Sequence, residues 1–312
     1  YGSINQITLI SSEDLVNWTD HGEIQVAGPQ GVAPFTNNSW APGMAKKTVD
    51  GVDKYFLYYA NGGGSSNVIT GASPLGPWTS ERDSTLIDGR TPGAEAVAWK
   101  FDPAPLVTDD GAYLYFGGGP ASTSMPAAER FNNPKNIRVI ELGDDMVSTQ
   151  GTAAVVDAPV AFEAAQVFER DGKYWVYVSG PNPPYDRKTL GVAVADSPEG
   201  PFTAQPTAMI TNGEAVTSGQ AIDPAAFRDP ETGKYWLLWG NGGPSDGPVM
   251  AELDDDMTSI KQDTLRRIPG LTDFREGLFL NYREGVYHLT YSIDDTGSES
   301  YRVGYATSDS ID

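Results

Sequence analysis

The 312-residue chain carries 42 acidic against 21 basic residues, a formal net charge of -21 at pH 7. Such a charge repels phosphate backbones and anionic lipid surfaces, so we expect neither a nucleic acid nor a membrane as a partner. Cysteine is absent, which excludes disulfide bonds and thiolate metal sites. With 39% hydrophobic residues and no linker-like stretch, residues 1–312 are expected to form a single, monomeric domain.

Short runs rich in Tyr, Trp, Val and Leu alternate with clusters of Gly, Pro, Asn and Asp along the whole chain. This pattern is typical of many short antiparallel strands and predicts an all-β protein. The first such run is the segment 8–24, TLISSEDLVNWTDHGEI, which has no inner partner strand. A repeated unit then opens at Trp40-Ala41-Pro42 and continues to KYFLYYANGG.

Two pairs of longer units follow. Phe101-Asp102-Pro103, leading into PLVTDDGAYLYFGG, returns 121 residues later as Ile222-Asp223-Pro224, leading into AFRDPETGKYWLLWG. Glu163, leading into AAQVFERDGKYWVYVS, returns 113 residues later as Glu276, leading into GLFLNYREGVYHLTYS. Unit starts near 41, 102, 163, 223 and 276 are 53 to 61 residues apart. A regular period of this length indicates radially repeated blades, and so a five-bladed β-propeller.

The two ends of the chain are predicted to share a blade. The last unit, from Phe274, contains YRVGYATSDS but stops before an outermost strand. Pairing the first and last segments would remove open sheet edges, so residues 1–28 are expected to complete the last blade. The chain begins at Tyr1 without a methionine. We therefore expect a trimmed sequence. Acidic surfaces suit secreted proteins that handle neutral polymers, so we expect an extracellular protein although no signal peptide is present.

In a propeller the first strand of each blade lines the central channel. The residues that open the five units are Ala41, Asp102, Glu163, Asp223 and Glu276, and four of them are carboxylates. Asp-Pro and Glu-Gly could simply be turn residues at the start of strands. Yet turn chemistry does not require the apolar residue before three of the four, or the aromatic strand after each.

Clustered carboxylates cannot all ionise at a low cost in free energy, so such a cluster provides an acid and a base together. Glycoside hydrolysis needs that pair.

Several segments resemble glycoside hydrolase family 43: SSEDLVNWTDHG, SWAPG, FDPAPLVTDDGAYLYFGG, AIDPAAFRDPETGKYWLLWG and FREGLFLNYREGVYHLTYS. The resemblance covers essentially the whole chain. It implies a five-bladed propeller that acts by inversion, with an Asp general base, an Asp that tunes the acid, and a Glu general acid. It also implies arabinose- or xylose-containing polysaccharides and oligosaccharides as substrates, an arabinofuranosidase, xylosidase or arabinanase activity, and no required cofactor.

Two assignments of these roles stay open. The family places base, tuning Asp and acid on the first, third and fourth blades, and Asp102, Asp223 and Glu276 satisfy that order. Alternatively, DLVNWTDHG and WAPG resemble the family's first and second blades, which makes Asp102 the tuning Asp and Glu163 the acid. The base would then precede Tyr1 or be replaced by Glu276. That reading allows a catalytically impaired, carbohydrate-binding propeller, or a permuted or recombined gene.

Aromatic residues beside the inner-strand starts are the expected sugar-binding surfaces. They are Trp40, Trp99, Phe101 and Phe162.

The sequence predicts no zinc or iron site. Only His21 and His288 occur, and neither belongs to a spaced ligand cluster. Members of the family commonly have a channel histidine near a bound calcium ion, but no residue here matches it. The run Asp254-Asp255-Asp256 lacks the spacing of an EF-hand loop. A structural calcium ion is therefore not supported by the sequence.

Overall fold

The computed structural model describes residues 3–119, 136–158, 161–182, 187–211, 220–242, 247–295 and 297–312. Within these ranges the chain forms β-strands joined by turns, and the one helical element is a 3-10 turn at Gln262–Thr264. None of the described helical structure is long and apolar enough to cross a bilayer. Five antiparallel sheets follow one another as the blades of a propeller, which confirms the fold predicted from the repeat period.

The strands follow the repeats in order. An N-terminal hairpin precedes the blades, with strands at Gln6–Ser11 (β1) and Thr19–Gln25 (β2). Blade 1 has strands at Trp40–Val49 (β3), Val52–Asn61 (β4), Ser65–Gly71 (β5) and Trp78–Thr79 (β6). Blade 2 has strands at Ala104–Val107 (β7), Ala112–Gly117 (β8), Ile137–Leu142 (β9) and Thr149–Val155 (β10).

The second half of the chain supplies three more blades. Blade 3 has strands at Glu163–Arg170 (β11), Lys173–Asn182 (β12), Arg187–Ala195 (β13), Thr203–Ala204 (β14) and Ile210–Thr211 (β15). Blade 4 has strands at Ala225–Arg228 (β16), Tyr235–Trp239 (β17), Val249–Glu252 (β18) and Arg266–Arg267 (β19). Blade 5 has strands at Phe274–Arg283 (β20), Val286–Ile293 (β21) and Arg302–Ser308 (β22).

The first strands of successive blades contact one another: β3 contacts β7, β7 contacts β11, β11 contacts β16, and β16 contacts β20. They are thus the innermost strands of the ring. The second strands are the most apolar and pack between blades, as when Tyr58 of β4 packs in one buried cluster with Leu114 and Phe116 of β8. Burial of these aromatic strands on both faces explains why the repeats are easy to recognise in the sequence.

The predicted pairing of the two chain ends is not found among the described strands. Strands β1 and β2 pair only with each other, and blade 5 has three strands. The hairpin instead packs Ile7 and Ile24 against the buried side chains of Leu57 and Ile69 in blade 1. Burial of these apolar side chains stabilises the association of the hairpin with the blade that follows it. Trp18 makes an edge-on ring contact with Tyr305 of β22, at a centroid distance of 6.1 Å.

Two buried tyrosines join neighbouring blades through the same contact. The Tyr58 hydroxyl of blade 1 donates to the Met146 carbonyl of blade 2 at 2.7 Å, and the Tyr177 hydroxyl of blade 3 donates to the Met257 carbonyl of blade 4 at 2.8 Å. Both methionines are fully buried and end a repeated Asp-Asp-Met turn, at φ 63° and 57°. The similar segments RVIELGDDM (138–146) and VMAELDDDM (249–257) therefore each end at the acceptor of a hydrogen bond between blades.

Replacing Tyr177 by Phe is expected to lower the free energy of unfolding by about 1–3 kcal/mol, because the buried Met257 carbonyl loses its donor. In a domain of this size the loss corresponds to a few degrees in Tm, measurable by calorimetry. Tyr55→Phe is the control, since the Tyr55 hydroxyl makes no hydrogen bond within the described part of the chain. Equal Tm values for the two variants would show that the contact between blades adds nothing to stability.

Each blade begins near one residue in the left-handed region of backbone space. The φ angle is 43° at Ala41, 49° at Asp102, 55° at Ala164, 53° at Asp223 and 68° at Gly277. Residues other than glycine adopt this conformation only rarely, so its recurrence shows that the same backbone turn begins every inner strand.

This recurrence corrects one prediction. The four acidic residues that open the units do not occupy equivalent backbone positions, because Asp102 and Asp223 are the left-handed residues themselves, whereas Glu163 and Glu276 each precede one. The glutamate side chain is longer by one methylene. The offset of one residue therefore goes together with a change from the shorter to the longer carboxylate.

Candidate active site

The four carboxylates lie at the openings of the inner strands of blades 2, 3, 4 and 5, and all four are half-buried. Asp102 Oδ2 accepts the backbone N–H of Ala164 at 3.1 Å. Asp223 likewise accepts a backbone hydrogen bond from Gly277. In each case an Asp is hydrogen-bonded to the residue directly after the Glu of the next blade. We call Asp102 with Glu163 the first module, and Asp223 with Glu276 the second module.

The backbones of the two modules match residue by residue. The N–H of Gly117 donates to the Phe101 carbonyl, and the N–H of Gly240 donates to the Ile222 carbonyl, both at 2.9 Å. One step further on, Gly119 donates to Phe162 at 2.6 Å and Gly242 donates to Arg275 at 3.0 Å. The pairs Trp99↔Gly118 and Gln220↔Asn241 form the corresponding β-bridges. The two modules thus differ in side chains and share a framework.

Mutual repulsion and burial control the protonation of the aspartates. Burial is the main cause that raises the pKa of Asp102 to about 7; the Ala164 N–H opposes the rise, and the charges of Glu163 and Glu276 add to it. Burial also raises the pKa of Asp223 well above its usual value, with further contributions from Glu276, Glu163 and Asp102. The four carboxyls therefore form one electrostatically coupled group, in which ionisation of one opposes ionisation of the others.

Glu276 has the richest set of contacts. Burial raises its pKa, against the opposing effects of the Arg275 guanidinium, the Asn241 amide and the Tyr301 hydroxyl. Asn241 Nδ2 donates to Oε2, and Tyr301 donates to Oε1 at 3.5 Å. Arg275 also forms an ion pair with Asp295 at 3.2 Å. Glu276 is thus held between hydrogen-bond donors, while burial raises the pKa of its carboxyl.

The aromatic residues predicted to bind sugar surround the first module. The Trp99 ring makes edge-on contacts with Phe101 at 5.3 Å and Phe162 at 5.5 Å. Phe101 is buried, Phe162 is half-buried, and 37% of Trp99 is exposed. Phe101 is therefore the buried member of the cluster, and Trp99 is the member most accessible to a sugar.

Glycines make room for Trp99. A Cβ atom added at Gly63 would lie 2.9 Å from the Trp99 ring, and one added at Gly119 would lie 2.7 Å from it. The half-buried Trp40 lies beside the neighbouring Gly62, where an added Cβ would be 3.9 Å from its ring. The turn at Gly62-Gly63 thus brings the two tryptophans to the same side of blade 1.

Asn241 and Tyr301 are site residues that sequence reasoning missed. The segment WGNGG, which contains Asn241, repeats FGGG of blade 2 with an amide in place of the second glycine, and this difference was the available signal. Tyr301 follows the turn after β21 and has no counterpart that a repeat comparison could have shown. Its position depends on the loop conformation.

The histidines lie outside the module contacts given above. His21 is hydrogen-bonded to Ser11 at 2.7 Å, and the buried His288 is hydrogen-bonded to the Tyr305 hydroxyl at 2.8 Å. Within the described ranges, no three His, Asp or Glu side chains are arranged to hold a metal ion.

A propeller whose inner strands open with coupled carboxyls contains the acidic and basic groups that hydrolysis of a glycosidic bond needs. The profile of glycosyl hydrolases family 43 matches residues 2–163 and 157–312, so the chain belongs to this family. The first matched segment contains the first module, and the second segment contains the second module.

Two curated relatives are arabinoxylan arabinofuranohydrolases. The protein from Paenibacillus polymyxa is 46% identical over 215 residues, which cover 65% of this chain and 34% of the relative. That from Bacillus subtilis (strain 168) is 44% identical over 215 residues, which cover 65% of this chain and 42% of the relative. The chain therefore spans well under half the length of these relatives.

Solved structures extend the similarity to the whole ring. The crystal structure of an arabinoxylan arabinofuranohydrolase from Bacillus subtilis, in complex with cellotetraose, has a TM-score of 0.69 and 32% identity. The match covers 93% of this chain and 68% of that one. An α-L-arabinofuranosidase from Clostridium thermocellum has a TM-score of 0.60 and 28% identity, with 85% of this chain and 84% of that chain covered.

Proposed function

We propose that the protein is an inverting glycoside hydrolase that removes arabinofuranosyl groups from arabinoxylan or its oligosaccharides. The observation that carries the proposal is that four carboxyls open four successive inner strands and that three of them raise the pKa of the fourth, Asp223. Such a group contains both ionised and protonated members near neutral pH, which are the base and the acid that the reaction needs. The names of the relatives support arabinoxylan as the polymer.

We assign the roles according to the order of blades. Asp102 is the general base that activates water, Glu276 is the general acid that protonates the leaving oxygen, and Asp223 tunes Glu276. The hydrogen bond that Asp223 accepts from Gly277, the residue after Glu276, supports pairing Asp223 with Glu276. The coupled carboxyls provide the proton distribution, since they cannot all be ionised together. In the other assignment Asp102 is the tuning residue and Glu163 the acid.

Sugar binding is assigned to the aromatic side of the ring. Trp99 presents a half-exposed ring beside the first module, and a pyranose or furanose face stacks favourably on such a ring. No cofactor takes part in the proposed reaction, because the carboxyls supply both proton transfers. We place the enzyme outside the cell, where plant polysaccharides are found, and we propose that it is a monomer.

Incubation with arabinoxylan, arabinan, xylo-oligosaccharides and galactan, with products separated by chromatography, tests the proposed specificity. Arabinose released from arabinoxylan, with the main chain intact, is the expected result. Proton NMR during the first minutes should show the anomer opposite to that of the substrate. Release of the retained anomer would contradict inversion. Saturable binding without any released sugar would favour the catalytically impaired, carbohydrate-binding alternative.

A further inference from the structure

The two modules differ at one position that touches a carboxyl. Asn241 of the second module corresponds to Gly118 of the first, as the two β-bridges show. A side chain cannot be placed at Gly118, because an added Cβ would lie 2.0 Å from the Phe162 carbonyl oxygen. The framework that gives Glu276 an amide donor therefore leaves no room for a donor at the equivalent position beside Glu163.

Asn241 is also well suited to hold a carboxyl in place. Its side chain is 5% exposed, and its backbone exchanges two hydrogen bonds with Gln220, both at 3.1 Å. The backbone bonds hold the main chain, and burial restricts the side chain that carries the amide. The Nδ2 group then donates to Oε2 of Glu276. Because the donor is buried and preorganised, the contact needs little further ordering when substrate binds.

We propose that Asn241 is a positioning residue that orients the carboxyl of Glu276 and thereby makes the second module, not the first, the proton donor. The inference rests on the proposed glycosidase function and deepens it. The other charged and titratable groups that interact with Glu276 are Arg275, Asp295, Tyr301, Asp223 and Asp102.

The direction of the expected pH effect follows from the hydrogen bond. Donation from Asn241 stabilises the ionised carboxylate and lowers the pKa of Glu276. Loss of the donor therefore raises that pKa. A general acid works only while protonated, so its activity disappears as the pH rises through its pKa. The basic limb of the pH profile should move to higher pH in Asn241→Ala, by about one unit.

Substrates with different leaving groups show whether Asn241 positions the acid or only stabilises the fold. Nitrophenolate leaves without protonation, whereas a sugar hydroxyl needs the acid. Asn241→Ala should lose about 10- to 100-fold in kcat/KM on arabinoxylo-oligosaccharides and less than about threefold on a nitrophenyl arabinofuranoside. Asn241→Asp keeps the shape, loses the donor and adds a negative charge, so its basic limb should move further. Equal losses on both substrates, or an unmoved basic limb, would overturn the inference.

Asn67→Ala is the matched control. Asn67 is 1% exposed, and its amide donates to Ser65 in the same strand, so the variant also deletes a buried amide. It should change neither the pH profile nor the ratio between the two substrates. A shift as large as that of Asn241→Ala would mean that loss of any buried amide has this effect, and would overturn the proposal.

A measurement without turnover keeps the inference separate from the proposed function. The pKa of Glu276 can be obtained from carboxyl ¹³C NMR, in which the signal missing from Glu276→Gln identifies the residue. The pKa should rise in Asn241→Ala, and an unchanged value would overturn the inference even in an inactive protein. Suppose instead that the pKa rises but the wild-type protein hydrolyses no glycoside. The hydrogen bond between Asn241 and Glu276 is then confirmed, but the proposed function is wrong, and so is the assignment of Glu276 as the proton donor.

Discussion

Glu276→Gln is expected to reduce kcat/KM on arabinoxylo-oligosaccharides by about 10³-fold, with Tm close to that of the wild type. General acid catalysis contributes about 10²- to 10⁴-fold to such reactions, and glutamine cannot supply the proton. The amide is similar in size to the carboxyl and keeps an oxygen that can accept from Asn241. The loss should be much smaller on a nitrophenyl arabinofuranoside, because its leaving group needs no proton.

Glu163→Gln provides the comparison within the same ring. Glu163 has the same backbone position in the first module, so its replacement perturbs the fold to a similar extent. We expect Glu163→Gln to retain most activity on both substrates. If Glu163→Gln is inactive on oligosaccharides while Glu276→Gln turns over normally, the acid belongs to the first module and the assignment is reversed.

Asp102→Asn is expected to cause a loss of similar size, but on nitrophenyl substrates as well. A base is required whatever the leaving group is, since water must still be activated. Asp102 works only when ionised, and its pKa is raised to about 7. Wild-type activity should therefore fall as the pH is lowered through about 7. The residual activity of Asp102→Asn should not show this fall, because the group that titrates is absent.

Azide distinguishes the base from the tuning residue. It needs no deprotonation to act as a nucleophile, so it should restore turnover of an activated substrate by Asp102→Asn and give a glycosyl azide of inverted configuration. Asp223→Asn should instead move the pH profile and gain nothing from azide. Restoration of Asp223→Asn, with no response of Asp102→Asn, would exchange the two roles.

The ring could be predicted from the sequence because its repeated features are local. The aromatic second strands are buried between blades, so selection for packing leaves a regular pattern such as KYWVYVS and KYWLLWG. Asp-Asp-Met turns recur because a left-handed, fully buried methionine and its tyrosine donor form the same contact twice. Each strand or turn is recognisable from residues within a few positions of one another, although the tyrosine donors lie 88 and 80 residues from their methionine acceptors.

The details that sequence reasoning missed depend on contacts between distant segments. The hairpin β1–β2 joins blade 1 because Ile7 and Ile24 find an apolar partner there, and strand patterning alone cannot identify that partner. The offset between the Asp and Glu openings depends on which residue takes the left-handed conformation. Asn241 was overlooked because its role depends on a hydrogen bond to the Glu276 carboxyl, 35 residues away, which the glycine-rich turn around it does not indicate.

The recurring left-handed opening also bears on how such rings evolve. Since blades 1 to 5 begin with the same backbone turn, the chemistry that a blade contributes depends on one or two side chains and not on its architecture. Ala41 occupies the turn of blade 1 with a φ of 43°, the same conformation that holds Asp102 and Asp223. A single codon change from alanine to aspartate there would add another acidic group. The catalytic residues of such a ring could therefore move to a different blade while the backbone stays the same.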